Sequence, residues 1–339
     1  MKCKILQILL FSVTTLSFSA NAINATVPLD AFAMLPAIQQ ASVSKDGKKL
    51  AYLRATNKEG NYIVEVRQTD NLSKKPIRLG ADHMEITGFS WLNNKKLGIY
   101  FRQNIQDGAK NYWTSKFAII NANGKGKWLE PFKSDRSASF YLFDTLPDND
   151  DEVLINYDIN DNYIPDVVRF NINNGRSRTV LRGNKKRYRG FVADKDGEIR
   201  AAGGYNPSKN RFDLYARIKG ESEWRIVHQN FATERESFDF IGFAYNSDNE
   251  IYVNANRGED KTGIYLYNIE SGKYSERLFG IGKVDADGII TSGKKANRGE
   301  LLAFRYTTKH PMRYYTNDKE AEFYNGIRAL AKDKYISIR

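Results

Sequence analysis

A short motif returns six times along this 339-residue chain, and its spacing constrains the fold more than any other feature. Each copy has a polar turn, a charged residue and an apolar strand, as in SKDGKKLAYL at 44–53 and NSDNEIYVNA at 246–255. The last charged residues before the strands are separated by 47, 56, 46, 52 and 50 positions. These marks are Lys49, Lys96, Glu152, Glu198, Glu250 and Glu300.

Each repeat also has a second half, in which another strand leads to another turn, as in DVVRFNINNGRSRTVL and IYLYNIESGKYSERL. Asp-Gly, Asn-Gly and Ser-Gly pairs supply the positive φ that tight hairpins need. Four short strands with a period near fifty predict a β-propeller blade. A β-sandwich or a β-solenoid fits this period less well. The fold prediction is therefore all-β, a β-propeller with about six four-stranded blades.

The first 22 residues resemble a secretory signal peptide. Lys2 and Lys4 precede an apolar run at 5–18, and Ala20-Asn21-Ala22 places small residues around a cleavage site. A buried first helix is the alternative. We therefore predict a signal peptide at 1–22 and a β-propeller domain at 23–339, exported to the periplasm or the outside. No later stretch is predicted to span a membrane.

The amino-acid composition limits the kinds of site and partner that the chain is expected to have. Cys3, the only cysteine, lies in the predicted signal, so the mature chain is expected to lack disulfides, thiolate zinc sites and a cysteine nucleophile. The formal net charge of +12 favours acidic surfaces weakly. The basic residues are spread along the chain, so a nucleic-acid partner is not predicted.

The sequence offers no recognisable catalytic or metal site. A nucleophile elbow needs Gly-x-Ser-x-Gly, and this pattern is absent from the chain. Ser271 and Ser292 each precede a glycine but are predicted to lie in hairpin turns. His83, His228 and His310 are predicted to be surface or loop residues. We accordingly predict no catalytic residue, no metal ligand and no cofactor.

The acidic stretch at 144–166 contains a partial calcium-loop pattern. Asp158, Asn160 and Asn162 match the first positions of an EF-hand loop. Tyr163 stands where that loop needs glycine, and Arg169 stands where it needs glutamate. An ordinary loop between strands is therefore the preferred interpretation.

A basic run, GNKKRYRGF at 183–191, interleaves cations with an aromatic residue. It could contact a polyanion, but a solvated loop between blades is the preferred prediction. The tryptophans are predicted to pack within and between blades instead of forming carbohydrate platforms. They are Trp91, Trp113, Trp128 and Trp224.

Four segments resemble a known family. VPLDAFAMLPAIQQASVSKDGKKLAYL at 27–53 is similar to the start of the mature chain in bacterial secreted S9 peptidases, the prolyl oligopeptidase family. The branch resembled most is that of acylaminoacyl peptidases and dipeptidyl aminopeptidases. The turns YNIESGK and FNINNGR fit the same propeller. The stretch from Arg305 to Arg339 resembles the last blades before the hydrolase domain of that family.

The resemblance implies a propeller that caps an α/β-hydrolase domain and restricts its access to small peptides. This sequence stops before such a domain, so we expect a substrate-gating propeller that does not hydrolyse peptides alone. Its partners would be peptides or a separately encoded hydrolase domain. The alternative function is a stand-alone exported propeller that binds a peptide, a glycan or a protein.

Closure of the ring is left open by the sequence. Tyr335 to Arg339 resemble the first residues of a further strand unit, which predicts a seven-bladed ring lacking its last blade. An unpaired flank of this kind would favour self-association. Alternatively, the segment 27–41 supplies a strand that closes six blades.

Overall fold

The computed structural model describes residues 29–57, 60–131, 140–160, 162–231 and 236–330, which form six antiparallel sheets. We call these sheets blades 1 to 6 in chain order. Each is a meander, in which strands adjacent in sequence are adjacent in space. The predicted signal peptide and Cys3 lie outside the described residues.

Blades 1, 3 and 4 have four strands each. Blade 1 contains β1 (Ile38–Val43), β2 (Lys49–Ala55), β3 (Tyr62–Gln68) and β4 (Ile77–Leu79). Blade 2, with three strands, contains β5 (Glu85–Trp91), β6 (Lys96–Asp107) and β7 (Lys110–Asn121). Blade 3 contains β8 (Phe140–Asp144), β9 (Glu152–Tyr157), β10 (Asp166–Asn171) and β11 (Ser177–Leu181).

The second half of the chain repeats this arrangement. Blade 4 contains β12 (Arg189–Ala193), β13 (Ile199–Asn206), β14 (Arg211–Ala216) and β15 (Arg225–Phe231). Blade 5 contains β16 (Phe238–Phe243), β17 (Glu250–Ala255) and β18 (Gly263–Asn268). Blade 6 contains β19 (Ala286–Thr291), β20 (Leu301–Thr307) and β21 (Pro311–Tyr315). Helices α1 (Leu29–Ala33) and α2 (Asp318–Ala329) flank the six blades.

The six sequence marks identify the same structural position in every blade. In blades 1, 2, 3 and 5 the marked residue begins the second strand. In blades 4 and 6 it immediately precedes that strand. The predicted six-fold repeat is therefore confirmed.

The fourth strand is less regular than predicted. In blade 2 a single β-bridge between Ile119 and Leu129 takes its place, and in blade 5 a bridge joins Ile264 to Phe279. The segment before Leu129, NGKGK, has two glycines at positive φ and no β-branched residue, so it is poorly suited to a strand. In blade 6, β21 is followed by helix α2.

The blades stack through hydrophobic clusters between consecutive sheets. Leu53 and Val64 of blade 1 pack with Ile99 of blade 2, for example, and Tyr252 of blade 5 packs with Phe304 of blade 6. Such clusters join blades 1–2, 2–3, 3–4, 4–5 and 5–6. Each sheet therefore depends on its neighbours to bury its faces.

The stack curves around an axis. Stacked sheets lie about 10 Å apart, so a straight stack would separate blades 3 and 6 by roughly 30 Å. Instead, Nη2 of Arg298 in blade 6 lies 2.5 Å from Oδ2 of Asp144 in blade 3. This contact requires the stack to curve around an axis, as the sheets of a propeller do, and the all-β propeller prediction is confirmed.

The innermost strand is bulged in every blade. The pairing of the first and second strands shifts register in all six blades. The pairing of the second and third strands is regular throughout. Because a bulge increases local twist, this repeated irregularity turns each inner strand relative to the rest of its blade.

Among the residues that the structure describes, neither helix has the length and apolarity needed to span a bilayer.

Candidate functional site at the axial face

The turns between the first and second strands all lie at one end of the ring, because consecutive strands run antiparallel. We call this end the axial face and the other end the rim face. The axial turns occupy residues 44–48, 92–95, 145–151, 194–198, 244–249 and 292–300.

Hydrogen bonds link neighbouring axial turns. The backbone N–H of Asp46 donates to Oδ1 of Asn94 at 2.9 Å, and Nδ2 of Asn93 donates to the carbonyl of Asp150 at 2.7 Å. Farther along the chain, Nη2 of Arg200 donates to the carbonyl of Asp248. The first two bonds connect blades 1–2 and 2–3 through their turns, and the third connects β13 of blade 4 to the turn of blade 5.

Charged side chains from distant blades meet near the axis. Besides pairing with Asp144, Arg298 donates from Nη1 to the carbonyl of Lys195 at 2.9 Å, so one guanidinium joins blades 3, 4 and 6. Lys45 of blade 1 lies close enough for its pKa to respond to this group. Desolvation lowers the pKa of Lys45, with Arg298 acting in the same direction and Asp150 against it.

A cavity of about 310 Å³ opens between blades 4, 5 and 6 at this face. Its size falls within the range of small-ligand sites. The residues lining it include Lys195, Lys219, Phe243, Tyr245, Ser292 and Arg298.

The cavity wall is charged and held by specific pairs. Arg200 and Asp194, each 2% exposed, lie 3.3 Å apart, and the Arg200 guanidinium also rests 4.5 Å from the Phe243 ring. Nζ of Lys219 lies 2.6 Å from Oδ2 of Asp196. This hydrogen bond lowers the pKa of Asp196 and raises that of Lys219, so both stay ionised. The cavity is therefore suited to a small, polar, charged group.

The two candidate serines are engaged with amides. The Ser292 hydroxyl, in the cavity wall, donates to Oδ1 of Asn297 at 2.7 Å. Ser271 lies in a turn, as predicted, and donates to Oδ1 of Asn268 at 3.1 Å. In both bonds the serine hydroxyl donates its proton to an amide oxygen and not to a histidine.

The histidines lie in three separate places. His83 is exposed in the linker between blades 1 and 2, with a φ of 63°. His228, on β15, stacks on Phe238 with ring centroids 4.5 Å apart. His310 is exposed between β20 and β21. Within the described ranges, no group of three or more His, Cys, Asp or Glu is placed to hold a metal ion.

The partial calcium loop is an inter-strand loop. The buried Asp158 carboxylate accepts from the backbone N–H groups of Asn162 and Tyr163, at 3.1 and 2.6 Å. Nε of Arg169 lies 2.9 Å from Oε2 of Glu152 on the neighbouring strand. Asp158 therefore caps its own loop, and Arg169 lies on β10 outside that loop.

The basic run lies between blades 3 and 4, as predicted, but part of it is packed. The Arg187 guanidinium lies 5.2 Å from the Trp224 ring, and that of Arg189 lies 4.7 Å from the Tyr188 ring. Lys185 and Lys186 line a cavity of about 230 Å³ at the rim face. The aromatic interleaving thus serves cation–π packing within blade 4.

Three of the four tryptophans pack as predicted, and Trp113 does not. Trp91 and Trp128 belong to the core between blades 1 and 2, and Trp224 packs between blades 3 and 4. Trp113 is 51% exposed on the long hairpin β6–β7, with the Arg102 guanidinium 4.7 Å from its ring.

Trp113 borders a further cavity, of about 490 Å³, at the rim face between blades 1 and 2. We call it the rim groove. Its other polar residues include Asn61, His83, Glu85, Arg102 and Asn104. An exposed indole beside amide, carboxylate and guanidinium groups can stack on and hydrogen-bond to a polar ring or chain.

Comparisons were made with family models, curated proteins and solved structures. No family model and no curated protein matches the sequence. A prolyl endopeptidase structure aligns with a TM-score of 0.51 and 14% identity. The alignment covers 80% of this chain and 39% of that protein. The chain has the β-propeller fold found in S9 peptidases. It spans only about two fifths of the prolyl endopeptidase.

Two other solved structures align with this chain with similar TM-scores. An acylaminoacyl peptidase aligns with a TM-score of 0.48 and 13% identity, over 86% of this chain and 46% of that one. An oligogalacturonate lyase from Vibrio parahaemolyticus aligns with a TM-score of 0.50 and 10% identity, over 80% and 75%.

The sequence predicted no site residues, and neither the axial cavity nor the rim groove was predicted. The axial cavity depends on Arg298 and Lys195, which are 103 positions apart. The rim groove had a signal in the sequence: the polar stretch 102–116 forms the outer half of the long hairpin β6–β7, and Trp113 lies in this stretch.

Proposed function

We propose that this chain is the substrate-gating propeller of an S9-type serine peptidase-like protein and that it does not hydrolyse peptides by itself. The observation that carries the proposal is the bridge from Arg298 to Asp144, which crosses the axial end of the ring. The propeller fold shared with prolyl endopeptidase supports it. Peptides, or a hydrolase domain, would be the partners.

The physical basis of gating is size selection. Turns that are hydrogen-bonded to each other and crossed by an ion pair narrow the axial end, so an extended peptide segment passes more easily than a folded protein. The charged wall of the axial cavity would hold a peptide terminus or a charged side chain. Opening the end requires separation of Arg298 from Asp144.

A thiol-labelling experiment tests this gate, because the predicted mature chain contains no cysteine. Ser292→Cys places a thiol in the wall of the axial cavity, where Ser292 is 4% exposed. Ser271→Cys, in an exposed turn, is the matched control. We expect short peptidyl maleimides to label both variants and a protein-sized maleimide to label only S271C. Arg298→Ala should increase the labelling of S292C by the large reagent. Equal labelling of both variants by both reagents would contradict the gate.

The absence of hydrolysis by this chain has its own test. A fluorophosphonate probe reacts with activated serines, and neither Ser271 nor Ser292 has a base in the hydrogen bond described above. We expect no labelling of the purified chain. Labelling at any serine would overturn this part of the proposal and leave the gate to be judged on the maleimide result.

A second function is favoured by the rim groove. The exposed Trp113 ring beside Asn61, Glu85 and Asn104 resembles the donor set of a saccharide site, and one structure of the same fold is an oligogalacturonate lyase. In this alternative the protein is a stand-alone propeller that binds a glycan. Titration with oligosaccharides and with peptides separates the two, because Trp113→Ala should abolish glycan binding and leave axial peptide access unchanged.

We also propose that the chain is exported after removal of residues 1–22. The basic start, the apolar run and the small residues at Ala20 and Ala22 support this. N-terminal sequencing of the protein from its source should give Ile23 as the first residue. An intact Met1 in the isolated protein would contradict export by this route.

A further inference from the structure

Blade 1 carries a cluster of side chains with more positive than negative charge on the face that turns away from blade 2. Tyr52, Glu65 and Arg78 are directly paired across β2, β3 and β4, so their side chains form one row. The neighbouring residues Leu53 and Val64 point the other way, into the core shared with blade 2. Strand alternation therefore places the row on the opposite face.

Glu65 is the centre of this group and is 0% exposed. Its Oε2 accepts from the Tyr52 hydroxyl at 2.6 Å, and its Oε1 accepts from Arg54 Nη1 at 3.2 Å and from Arg78 Nε at 3.0 Å. Arg67 Nη2 lies 3.6 Å from Oε2. Three guanidinium groups thus surround one carboxylate, which leaves an excess of positive charge.

The three arginines are not equivalent. Arg67 is 20% exposed in its side chain and donates to the Tyr52 hydroxyl and to the carbonyls of Leu72 and Lys74. Its donors are committed to the fold. The side chains of Arg54 and Arg78 are 46% and 56% exposed. Among the described residues, the guanidinium of each donates to Glu65 alone.

Glu65 also determines where these two groups point. Both donate to the same oxygen, Oε1, so the two guanidiniums converge from β2 and β4 and turn their remaining N–H groups to solvent. A guanidinium fork matches the paired oxygens of carboxylate and phosphate groups. Because the orientation is fixed before binding, less conformational entropy is lost when an anion arrives.

We propose that Arg54 and Arg78 form an oxyanion site, for a carboxylate or a phosphate group, on the face of blade 1 that turns away from blade 2, with Glu65 as the positioning residue. This site is separate from the axial cavity and from the rim groove, and it does not rest on the proposed gating function. A carboxylate would come from an acidic peptide or a uronic acid, and a phosphate from the free anion or a phosphoryl group.

Calorimetric titration of the full chain at low ionic strength, with inorganic phosphate in one arm and succinate in the other, tests the site. We expect saturable one-to-one binding of at least one anion, and the arm that binds identifies the source. Arg54→Gln and Arg78→Gln should each weaken it at least tenfold. Arg225→Gln is the matched control, because Arg225 faces two acids, Glu221 and Glu223. No saturable binding in either arm, or wild-type affinity in R54Q and R78Q, would overturn the proposal.

Glu65→Gln distinguishes a site in which Glu65 positions the two arginines from simple electrostatic attraction of the anion. The substitution raises the local positive charge, so attraction alone predicts tighter binding, whereas loss of positioning predicts binding at least threefold weaker. Tyr52→Phe gives the same comparison at constant charge if E65Q fails to fold, since it removes the 2.6 Å bond that holds Glu65. Tighter or unchanged binding in the folded variant would overturn the positioning role.

Discussion

Arg298 and Asp144 are 154 residues apart in the chain, and their side chains form an ion pair with Nη2 and Oδ2 2.5 Å apart. The Asp144 side chain is 5% exposed and that of Arg298 is 23% exposed. The other carboxylate oxygen, Oδ1, accepts from the backbone N–H of Leu146 at 2.7 Å. The pair is therefore a partly buried connection between blades 3 and 6.

Arg298→Ala is expected to destabilise the propeller by about 1–3 kcal/mol, because it leaves the buried Asp144 carboxylate without its cation. Urea unfolding, followed by tryptophan fluorescence, measures the loss. Lys295→Ala is the control, since Lys295 pairs with Asp148 while both side chains are more than 60% exposed. Its expected cost is about 0–1 kcal/mol. Equal losses in the two variants would show that the axial bridge is no different from a surface pair.

Gly204→Ala is expected to disrupt the packing of β13 against the linker between blades 3 and 4. A Cβ at Gly204 would lie 1.9 Å from the carbonyl oxygen of Lys186, which is backbone and cannot rotate away. Overpacking of this kind costs about 1–3 kcal/mol or more. The effect is measurable as a lower urea midpoint.

Gly282→Ala is the matched control for that substitution. A Cβ there meets no atom within 4 Å, and the backbone is outside the left-handed region. Its stability should change by less than about 1 kcal/mol, with a gain expected from the reduced entropy of the unfolded chain. A Gly204→Ala midpoint equal to that of Gly282→Ala would mean that the linker is free to move.

The ionisation of Glu65 should make the free energy of unfolding depend on pH in the acid range. Burial raises its pKa, but the hydrogen bonds from Tyr52 and Arg78 and the charge of Arg54 outweigh burial, so the pKa lies below the ordinary value of 4.5. The carboxylate thus contributes stability that is fully present above about pH 4.5 and is lost as pH falls through the lowered pKa.

Urea unfolding of the wild type and of Glu65→Gln from pH 7 to pH 3 checks this dependence. The difference in unfolding free energy between them should be largest above pH 4.5 and should shrink at lower pH. A difference that stays constant with pH would mean that Glu65 is not ionised in the fold.

Much of the fold could be predicted because each blade repeats a local pattern. A polar turn followed by a charged residue marks the second strand wherever it occurs, and that information lies within ten residues of sequence. The bulged inner strands have a similar local signal. Gly88, Gly190 and Gly242 each lie eight positions before a mark and precede a phenylalanine in the inner strand.

The sites could not be predicted in the same way because they depend on contacts between blades. Nothing near Arg298 in the sequence indicates that it reaches Asp144, since the contact exists only once the ring has formed. The pattern of the basic run 183–191 does not indicate that Arg187 packs on Trp224, because that tryptophan lies outside the run. Within one blade more was accessible: alternation in KLAYLRA and YIVEVRQ already places Tyr52, Arg54, Glu65 and Arg67 on one face.

Helix α2 gives a last prediction, because its central glycine has no structural requirement. The helix docks through Tyr324, whose ring lies 5.5 Å from that of Tyr315 and 5.0 Å from the Arg313 guanidinium. A Cβ at Gly326 would meet no atom within 4 Å. Gly326→Ala should therefore stabilise the helix by about 0.5–1 kcal/mol, since glycine loses more backbone entropy than alanine on folding.

Hydrogen exchange of the α2 amides measures this gain directly. A stabilisation of that size should slow their exchange by roughly two- to fivefold. Tyr324→Ala is the opposite control, because it removes the anchor on blade 6 and should bring the same amides close to unprotected rates. Faster exchange in Gly326→Ala would mean that the helix packs more closely at this position than its contacts indicate. Unchanged exchange in Tyr324→Ala would show that the helix is held by its N-cap, Asn317, and its own hydrogen bonds instead of by blade 6.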